Sequence, residues 1–455
     1  MKGPVVVVGA GQAGTLLSIY LAREGHEVVL YEGRPDLRTT QVAAGRSINL
    51  ALATRGVVPL VDVGLIDRVD AITIPMRGRM VHPLPTGGGA DGAAPELQPY
   101  GSRPHEVIHS ISRADLNSLL LDAAEATGRV RVEFSAELAG VDLDGSELSF
   151  VDGRTAPFGT LFGADGAGSR IRAALVDHGT CRATTDRLDH GYKELTVPPA
   201  ADGGHRLDPN ALHVWPRGGF MLIALANPGG DFTATLFAPW ATFDELANPD
   251  DIRRFFEADF ADFAALVPDV AEQFLANPTG ALATMRATGW SHEGRVALVG
   301  DAAHAIVPFH GQGMNLAMES VRALDRHLRV RPDDPAAAFA AYEVERKPDA
   351  EAIADMALDN YVEMRSGVVD ADHVARRRLA LELERRHPAR LSPRYNMVMF
   401  STMPYAEARD RAAAQHEILC RGVADPALDL DALVAELPPL PDLDPLARPD
   451  ALSLV

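Results

Sequence analysis

Short apolar runs alternate with helical patterns at the start of the chain. The continuous run Val5–Val8 is followed by apolar residues at helical spacing: Leu16, Leu17, Tyr20 and Leu21. A second apolar run, Glu27–Tyr31, comes next. Apolar runs separated by a helix of this length are typical of buried parallel strands. The pattern therefore predicts a βαβ-like segment over the first 60 residues. A similar order returns near residue 300, where Val296–Val299 precedes a helical pattern.

The middle and the end of the chain have different patterns. Ser112–Ala126 is predicted to be a helix capped by Ser112, because Asp115 stands at its third position. Shorter runs predict strands at residues 130–134 and 161–164 and a hairpin over residues 137–151. From about residue 181 to 285 short runs between Gly and Pro turns predict β-structure, and from Pro335 to Cys420 the pattern is helical. No internal repeat is found.

Composition limits the partners of this chain of 455 residues. With 43 basic and 63 acidic residues, the formal charge of −20 argues against nucleic acid and anionic membranes as partners. An anionic substrate would need a local cation. The two cysteines, Cys181 and Cys420, give neither a disulfide framework nor metal-ligand spacing, which favours a reducing cytoplasm. No window of 18 uninterrupted apolar residues predicts a membrane span.

A dinucleotide fingerprint follows the first strand. Gly9, Gly11 and Gly14 form G-x-G-x-x-G between that strand and the first helical pattern, and Glu32 ends the second strand. In this context the first glycine permits the tight turn, and the second lets a pyrophosphate approach the backbone. The third lets the helix and strand pack closely. Glu32 is predicted to accept hydrogen bonds from a ribose. The fingerprint predicts dinucleotide binding.

The stretch near residue 300 supplies a complementary site. Asp301 follows an apolar strand, and Gly311 and Gly313 open the helix after it. The acid is suited to sugar-like hydroxyls. The helix N-terminus presents free N–H groups and a partial positive charge, which stabilise an anion such as a reduced flavin. The sequence therefore predicts a bound cofactor with hydroxyls and an electron-poor ring.

Three acid–glycine elements in this order resemble the class A flavoprotein aromatic hydroxylases. The elements are Gly9–Gly14 with Glu32, Asp165-Gly166, and Gly300-Asp301. The resemblance covers the N-terminal 330 residues. It implies that FAD lies extended between the first and third elements, while the middle element supports both FAD and transient NADPH binding. The absence of a second fingerprint fits this class, which lacks a separate NADPH domain.

Further motifs narrow the resemblance to the kynurenine 3-monooxygenase family. They extend from residue 45 to about 400: Gly45–Leu52, Met76–His82, Gln98–Gly101, Ser112–Asn117, Tyr192–Leu195, His213–Pro216, Asn360–Met364 and Tyr395–Val398. Members hydroxylate L-kynurenine at the ring carbon beside the amine, using FAD, NADPH and O2. The resemblance implies the same reaction here, through a C4a-hydroperoxyflavin that needs orientation and water exclusion more than a strong base.

The resemblance also implies a mixed α/β fold in three units. A Rossmann-like FAD-binding domain is expected over residues 1–75, 101–180 and 286–333. An inserted β-sheet domain that binds substrate is expected over residues 76–100 and 181–285. A helical C-terminal region, residues 334–455, is expected to cap the active site.

Arg79 and Tyr100 are the candidates for holding the substrate carboxylate. The planar guanidinium of Arg79 can donate two parallel hydrogen bonds, and Tyr100 can donate to the same carboxylate. For Tyr100 the alternative interpretation is a half-buried loop tyrosine. Apolar neighbours predict a strand around Arg79, and alternation along it would put Arg77 on the same face. One of the two arginines is then expected to face solvent.

Asn360 lies on a predicted apolar helical face with Ile353, Met356 and Met364, since the spacings are 3, 4 and 4. A buried amide there must find partners, because leaving it unpaired costs roughly 1–3 kcal/mol. A structural partner is one interpretation. The resemblance favours contact with the substrate's amino-acid end, alongside Tyr395, with Met364 packing the pocket.

The resemblance assigns the remaining site residues. An apolar slot for the ring is implied for Phe309, Ile223, Leu225 and Phe237, although ordinary core packing explains them as well. His310 matches a position on the flavin side, and whether it acts as an acid or base or only as a hydrogen-bonding loop residue stays open. The implied FAD contacts are Gly9, Gly11, Gln12, Ala13, Gly14, Glu32, Arg34, Arg113, Asp165, Gly166, Asp301, Pro308, Gly311, Gly313, Met314 and Asn315. No metal site is expected.

Two other functions stay open on the sequence. One is a hydroxylase of a substituted kynurenine or related aminoaryl compound in specialised metabolism. The other is a flavin-binding protein without hydroxylase activity. Eukaryotic family members carry a C-terminal membrane anchor, whereas Pro449–Val455 ends this chain without one. We therefore expect a soluble, bacterial-type, cytoplasmic member, a monomer or homodimer with small-molecule partners.

Overall fold

The computed structural model describes residues 3–39, 49–84, 94–101, 103, 106–365, 371–425, 427–441 and 443. The first four residues of the motif Gly45–Leu52 and the C-terminal stretch 449–455 lie outside the described residues. The strands are β1 (Val5–Val8), β2 (Val28–Tyr31), β3 (Asn49–Leu52), β4 (Thr73–Met76), β5 (Gly78–Val81), β6 (Glu96–Pro99), β7 (Ile108–Ser112), β8 (Val130–Glu133), β9 (Leu138–Asp142), β10 (Glu147–Phe150), β11 (Thr155–Pro157), β12 (Thr160–Gly163), β13 (Arg182–Val197), β14 (Leu212–Pro216), β15 (Met221–Ala226), β16 (Phe232–Pro239), β17 (Thr279–Thr288), β18 (Ser291–His292) and β19 (Val296–Leu298).

Most of the long helices lie in the C-terminal third of the chain. The helices are α1 (Gln12–Arg23), α2 (Thr54–Asp62), α3 (Ile66–Asp70), α4 (Arg113–Ala126), α5 (Arg170–Asp177), α6 (Trp240–Glu245), α7 (Pro249–Asp259), α8 (Ala261–Ala264), α9 (Val270–Ala276), α10 (Asp301–His304), α11 (Gly313–Val330), α12 (Pro335–Arg365), α13 (Ala371–Arg386), α14 (Arg394–Met399), α15 (Tyr405–Ala424) and α16 (Leu430–Glu436). Among the described residues, none of them combines the length and apolar character needed to cross a bilayer.

A six-stranded sheet is built around the N-terminal apolar run, in the order β18-β19-β12-β1-β2-β8. Its strands are parallel except for β18, which pairs antiparallel with β19. Val6 of β1 lies between Leu161 and Val29, and all four residues of β1 are buried. A central parallel strand is covered on both faces, which explains why β1 is apolar at every position.

A second sheet of seven strands has the order β17-β13-β16-β15-β14-β5-β6. Its neighbours are antiparallel except β5 and β14, which pair in parallel with Arg79 opposite Leu212. Strands from residues 78–99 and 182–288 thus share one sheet. Two three-stranded sheets, β11-β10-β9 and β3-β7-β4, make up the rest of the β-structure in the described part of the chain. The mixed α/β fold is confirmed, while the predicted division into three units stays a prediction.

Several local predictions are confirmed. The side chain of Ser112 caps α4 by accepting a hydrogen bond from the Asp115 amide at 3.3 Å. Strands β9 and β10 form the predicted hairpin, in which Asp142 accepts from the amide of Gly145 at 2.8 Å. Helix α11 begins at Gly313, as the glycine pair indicated.

The prediction of β-structure from 181 to 285 is wrong for residues 240–276, which form α6 to α9. Asn248 caps α7 by accepting from the Asp251 amide at 3.0 Å, and Pro249 occupies its first turn. These are favourable helix-start residues. The buried Phe256, Phe260 and Phe263 are spaced four and three residues apart, which is a helical signal and not one of short strands.

The N-terminal and C-terminal parts of the chain are joined through a buried cation. Arg55 on α2 is fully buried and donates from Nε to the carbonyl of Val398 at 2.9 Å. Its Nη2 donates to the carbonyls of Met397 and Met403. The guanidinium carbon lies 3.8 Å from the ring centre of Tyr405. Residues that are about 340 positions apart therefore share one core.

Candidate active site

The three glycines of the fingerprint have different structural roles in the dinucleotide turn, Gly9–Gly14. Gly9 has φ of 103°, and a Cβ there would lie 2.3 Å from the carbonyl oxygen of Ala164. A Cβ on Gly14 would lie 1.9 Å from the carbonyl oxygen of Gly9. At Gly11, by contrast, a Cβ would meet no described atom within 4 Å. Gly9 and Gly14 therefore allow the chain to pack closely. Gly11 leaves open space before the α1 N-terminus, where a phosphate group fits.

Glu32 lies at the end of β2 beside this turn. Its carboxylate accepts from the Ala10 amide at 2.9 Å, and from the amide and Nε of Arg34 at 2.9 and 2.8 Å. Burial opposes ionisation, but the Arg34 and Ala10 hydrogen bonds outweigh it and lower the pKa of Glu32. An ionised carboxylate at this position is suited to ribose hydroxyls.

The third acid–glycine element contains a carboxylate that has no hydrogen-bond donor among the described residues. Asp301 begins α10 after Gly300, whose φ is 62°. No hydrogen bond to its carboxylate is found within the described part of the chain, although burial raises its pKa and Arg113 opposes that rise. A partly buried acceptor of this kind fits the hydroxyls of a cofactor chain. Gly311, with φ of 65°, turns the chain into α11 nearby.

Asp165 and Asn315, also predicted to hold the cofactor, use their side chains within the protein. The Asp165 carboxylate accepts from the Ser169 hydroxyl at 2.6 Å and from the Arg170 amide at 2.7 Å, at the start of α5. Asn315 accepts from the Ala53 amide at 2.9 Å and donates to the carbonyls of Ala51 and Gly311 at 2.8 Å. These bonds shape the walls of the site, and the assignment of both residues to FAD stays a prediction.

Other residues of the cofactor set lie around these elements. Gln12 and Ala13 belong to the first turn of α1, and the Gln12 amide donates to the Arg113 carbonyl at 3.2 Å. Gly166 has φ of 80° and faces open space. Pro308 begins a short 3-10 turn, and Met314 is partly buried against the main core. The described residues therefore fit a flavin dinucleotide.

Arg79 is buried, and Arg77 is exposed. The prediction that both lie on one face of a strand is wrong, because the strand breaks at Arg77. Met76 ends β4, which belongs to one sheet, and Gly78 begins β5, which belongs to another. The alternation therefore does not continue through Arg77. The expectation that one of the two arginines faces solvent is confirmed.

Arg79 belongs to a group of side chains that we name the clamp cluster: Arg79, Tyr100, Glu363 and Tyr395. The Tyr395 ring is stacked against Tyr100, with ring centres 5.3 Å apart. The Arg79 guanidinium lies 4.6 Å from the centre of the Tyr395 ring. Tyr100 is buried, and its hydroxyl makes no hydrogen bond of ordinary geometry within the described chain. The Arg79 Nε is likewise without a partner there. Both groups are donors suited to a carboxylate.

Sequence reasoning missed Glu363 as a site residue, although it stands inside the motif Asn360–Met364. Its Oε1 lies 3.5 Å from Nη1 of Arg79. Burial opposes ionisation, but Arg79 and neighbouring cations lower the pKa of this carboxyl. The signal that would have found it is its place three residues after Asn360, on the same side of α12.

Asn360 is buried on α12 with the apolar residues predicted to share its face. Its amide nitrogen donates to the carbonyl of Phe309 at 2.7 Å and lies 3.3 Å from the sulfur of Met364. The interpretation of Asn360 as a residue with a structural partner is therefore confirmed, because its amide nitrogen holds the Phe309 carbonyl. Contact with a substrate stays a prediction.

The structure places some, but not all, of the residues of the predicted apolar slot in one cluster. Phe309, Phe237, Met364 and Ile223 belong to one apolar cluster. Phe309 stacks on Tyr361 with ring centres 3.8 Å apart and meets Phe237 edge to face at 5.1 Å. The remaining member of the predicted slot, Leu225, packs in the main core instead. The cluster forms an apolar wall next to the clamp cluster.

His310 lies between the two halves of the site. Its ring stacks on Tyr395 with ring centres 5.3 Å apart, and the next residue begins the turn into α11. Burial lowers the pKa of His310 to about 3. A lowered pKa favours the neutral imidazole near pH 7. The role of His310 as an acid or base stays a prediction.

The chain is similar to known proteins over most of its length. A family described as FAD binding domain matches residues 2–357. The chain is 47% identical to a kynurenine 3-monooxygenase of Stenotrophomonas maltophilia, over 91% of this chain and 90% of that protein. It is 44% identical to the enzyme of that name from Myxococcus xanthus, over 90% and 89%.

Solved structures share the fold at low identity. A tetrameric form of 2-methyl-3-hydroxypyridine-5-carboxylic acid oxygenase gives a TM-score of 0.65 at 20% identity, covering 82% of this chain and 95% of that one. PqsL, a probable FAD-dependent monooxygenase from Pseudomonas aeruginosa, gives 0.63 at 20% identity, covering 80% and 96%. These similarities show that the chain has the same fold as these two proteins.

Proposed function

The chain belongs to the kynurenine 3-monooxygenase family, and from this premise we propose that it hydroxylates L-kynurenine to 3-hydroxy-L-kynurenine. FAD is the cofactor, and NADPH and O2 are the co-substrates. The observation that carries the proposal is the buried Arg79, whose Nε has no hydrogen-bond partner in the described chain and which lies beside an apolar wall. His310, at the start of the turn into α11, stacks on Tyr395 of the clamp cluster. An amino acid with an aromatic ring matches this combination of a cation and an apolar wall.

The amino-acid end is the part that the clamp cluster binds. Arg79 and Tyr100 supply donors for the substrate carboxylate, and the Tyr395 ring supports both of them from one side. Desolvated donors bind a carboxylate more strongly than exposed ones, since water does not compete. This fixes one end of the substrate and so directs the ring at the other end.

The ring end is directed by the apolar wall. The Phe309 carbonyl accepts a hydrogen bond from Asn360, and the Phe309 ring stacks on Tyr361. Phe237 packs edge to face against the same ring. We infer that this wall keeps the aniline ring next to the cofactor and excludes water. The aniline nitrogen already donates electrons to the adjacent ring carbon, so the protein need not supply a strong base. Positioning is its main contribution.

FAD, when bound and reduced by NADPH, supplies the activated oxygen that is transferred to the ring. The residues that would hold FAD are the dinucleotide turn, Glu32, Asp301 and the start of α11. The N-terminus of α11 favours negative charge at the flavin ring. We propose that residues 76–100 and 181–285 form the substrate side of the site and that residues 334–455 cover it. Arg79 on β5 and Tyr395 on α14 support this division.

The two cysteines bear on where the protein works. Cys181 and Cys420 are both free thiols, which supports a reducing cytoplasm as its location. A monomer or a homodimer is the assembly that we propose.

The test is a turnover assay with product identification. Purified protein should be yellow, and L-kynurenine should stimulate NADPH oxidation and yield 3-hydroxykynurenine by mass spectrometry. A panel of ring-substituted kynurenines decides whether a substituted analogue is the better substrate. No stimulation and no hydroxylated product with any member of the panel would contradict the proposal and favour a flavin-binding protein without hydroxylase activity.

A further inference from the structure

Glu363 is a partly buried carboxylate placed against the proposed carboxylate-binding arginine. It lies on α12, and its Oε1 is 3.5 Å from Nη1 of Arg79. The same carboxylate lies 3.5 Å from Nη2 of Arg394 and 3.7 Å from Nε2 of His373. Arg377 on α13 also contributes positive charge at Glu363. One carboxylate therefore faces several basic side chains.

The charges of this group do not balance among the described residues. Arg394 has a second carboxylate, Asp359, at 3.3 Å, and burial lowers the pKa of His373. Two arginines, Arg79 and Arg377, then remain for the single carboxylate of Glu363. Burial lowers the pKa of Arg377, and like-charge repulsion from Arg79 adds to that effect. An excess of positive charge that is partly buried favours the entry of an anionic group.

An α-amino acid brings both charges at once. Its ammonium is bonded to the carbon next to its carboxylate, so a carboxylate held on Arg79 places the ammonium beside whatever already touches Arg79. Glu363 occupies that position. Asn360, the neutral alternative, uses its amide nitrogen on the Phe309 carbonyl at 2.7 Å. A neutral amide oxygen is also a weaker acceptor for an ammonium than a carboxylate.

We propose that Glu363 is a specificity-determining residue that binds the α-ammonium of the substrate. In the free protein its carboxylate balances Arg79. When the substrate carboxylate takes that place on Arg79, Glu363 pairs with the ammonium, so both charges stay compensated. The inference rests on the proposed function, because it names how the same site distinguishes an amino acid from a simple keto acid.

The experiment compares two substrates in matched variants. Wild-type protein, Glu363→Gln and Glu363→Asp are assayed with L-kynurenine and with 4-(2-aminophenyl)-4-oxobutanoate, which is kynurenine without its α-amino group. Asp359→Asn is the control, since Asp359 lies one turn away, also faces Arg394, and has a side chain that is 66% exposed. FAD content and melting temperature are recorded for each variant.

The expected result is a change in the ratio of the two kcat/KM values. Wild-type protein should prefer L-kynurenine, and Glu363→Gln should reduce that preference by about tenfold or more. The KM of the deaminated compound should stay constant or fall, because Arg79 has lost a competitor. Glu363→Asp should restore part of the preference, and Asp359→Asn should leave it unchanged.

Other outcomes separate the two proposals. Equal losses for both compounds in Glu363→Gln, or a wild-type protein that does not distinguish them, would overturn the role of Glu363 while leaving the hydroxylase function intact. A wild-type protein that hydroxylates neither compound would overturn the proposed function and this inference with it.

Discussion

The dinucleotide turn and the clamp cluster are built in opposite ways. The turn consists of six consecutive residues, and what matters there is backbone: a left-handed φ at Gly9, and no room for a Cβ at Gly14. The clamp cluster consists of side chains from distant positions, held by β5, the residue after β6, α12 and α14. A site made of backbone is readable from a short segment, whereas a site made of side chains depends on how far-apart segments pack.

The same difference predicts how each site fails. Changing the turn should damage the fold and the cofactor together, because its glycines pack against other strands. Changing the clamp cluster should reduce substrate binding and leave the flavin in place. Four variants test this contrast, from the largest expected effect to the smallest.

Gly14→Ala should have the largest effect. The added Cβ would lie 1.9 Å from the Gly9 carbonyl oxygen, so α1 must move away from β1 at a cost of about 3 kcal/mol in unfolding free energy. We expect a lower melting temperature and little bound FAD, measured by absorbance at the flavin band. Gly219→Ala is the control, because its Cβ would meet no described atom within 4 Å. Normal flavin content in Gly14→Ala would contradict the expectation that changing the turn damages cofactor binding.

Arg79→Ala should weaken the binding of L-kynurenine by roughly 1.5–3 kcal/mol, or about 10- to 150-fold in Kd, since charge-assisted hydrogen bonds to the substrate carboxylate are lost. FAD content should not change. The measurement is a titration of flavin absorbance or fluorescence with L-kynurenine. Arg77→Ala, two residues away and exposed, should bind as wild type does. An equal loss in both variants would place the carboxylate site elsewhere.

His310→Gln should make the unfolding free energy less sensitive to acid. The pKa of His310 is lowered to about 3 by burial, so below about pH 6.5 the unfolded chain binds a proton that the folded chain does not. Stability from this residue is therefore complete above that pH and is lost as the pH falls. Between about pH 6.5 and 5.5 that loss is about 1 kcal/mol, and denaturant unfolding should show that the variant avoids it.

His304→Gln sharpens this test. The pKa of His304 is also lowered to about 3 by burial, and its Nε2 lies 3.0 Å from the Ser320 hydroxyl rather than in the Tyr395 stack. It should share the acid effect while leaving the KM of L-kynurenine unchanged, whereas His310→Gln should raise that KM. Unchanged acid sensitivity in both variants would contradict the assignment of neutral imidazoles.

Asp301→Asn should have the smallest effect. Its carboxylate has no hydrogen-bond donor within the described chain, so FAD hydroxyls are its expected partners. The neutral amide should weaken FAD binding by about 1 kcal/mol, or about fivefold in Kd. The measurement is the reconstitution of apoprotein with FAD. Asp165→Asn is the comparison, because the Asp165 carboxylate accepts from the Arg170 amide at the start of α5. Equal weakening in both would show that Asp165 also contacts the cofactor.

Sequence predicted the local parts of the molecule well and the long-range parts poorly. The β1–α1–β2 unit follows from an apolar run, three glycines and an acid, all before residue 33. Glu363 and Arg79 meet although they lie on α12 and β5, far apart in the chain, and nothing local to either residue indicates their pairing. Arg77 shows the same limit, because the chain leaves one sheet and enters another at the residue where the alternation was expected to continue.

The missed helices of residues 240–276 have a different cause. Their signal was present in the cap residue Asn248 and in the spacing of Phe256, Phe260 and Phe263, but they interrupt a region of short strands. Apolar runs of this length do not distinguish a strand from a buried helix. The resemblance to a family could supply the cofactor, yet the partners of Asn360 and Asp165 depend on packing that only the structure contains.

The buried guanidinium of Arg55 has a consequence for biosynthesis. Three backbone carbonyls between Met397 and Met403 receive its hydrogen bonds, and Glu319 on α11 pairs with its Nη1 at 3.1 Å. The three carbonyl acceptors are missing until nearly nine-tenths of the polypeptide has been synthesised. Early collapse of the N-terminal segment would bury a charge without most of its acceptors, which is unfavourable. Completion of the nascent core must therefore wait for the last helices, and a prematurely terminated product should be a target for proteolysis.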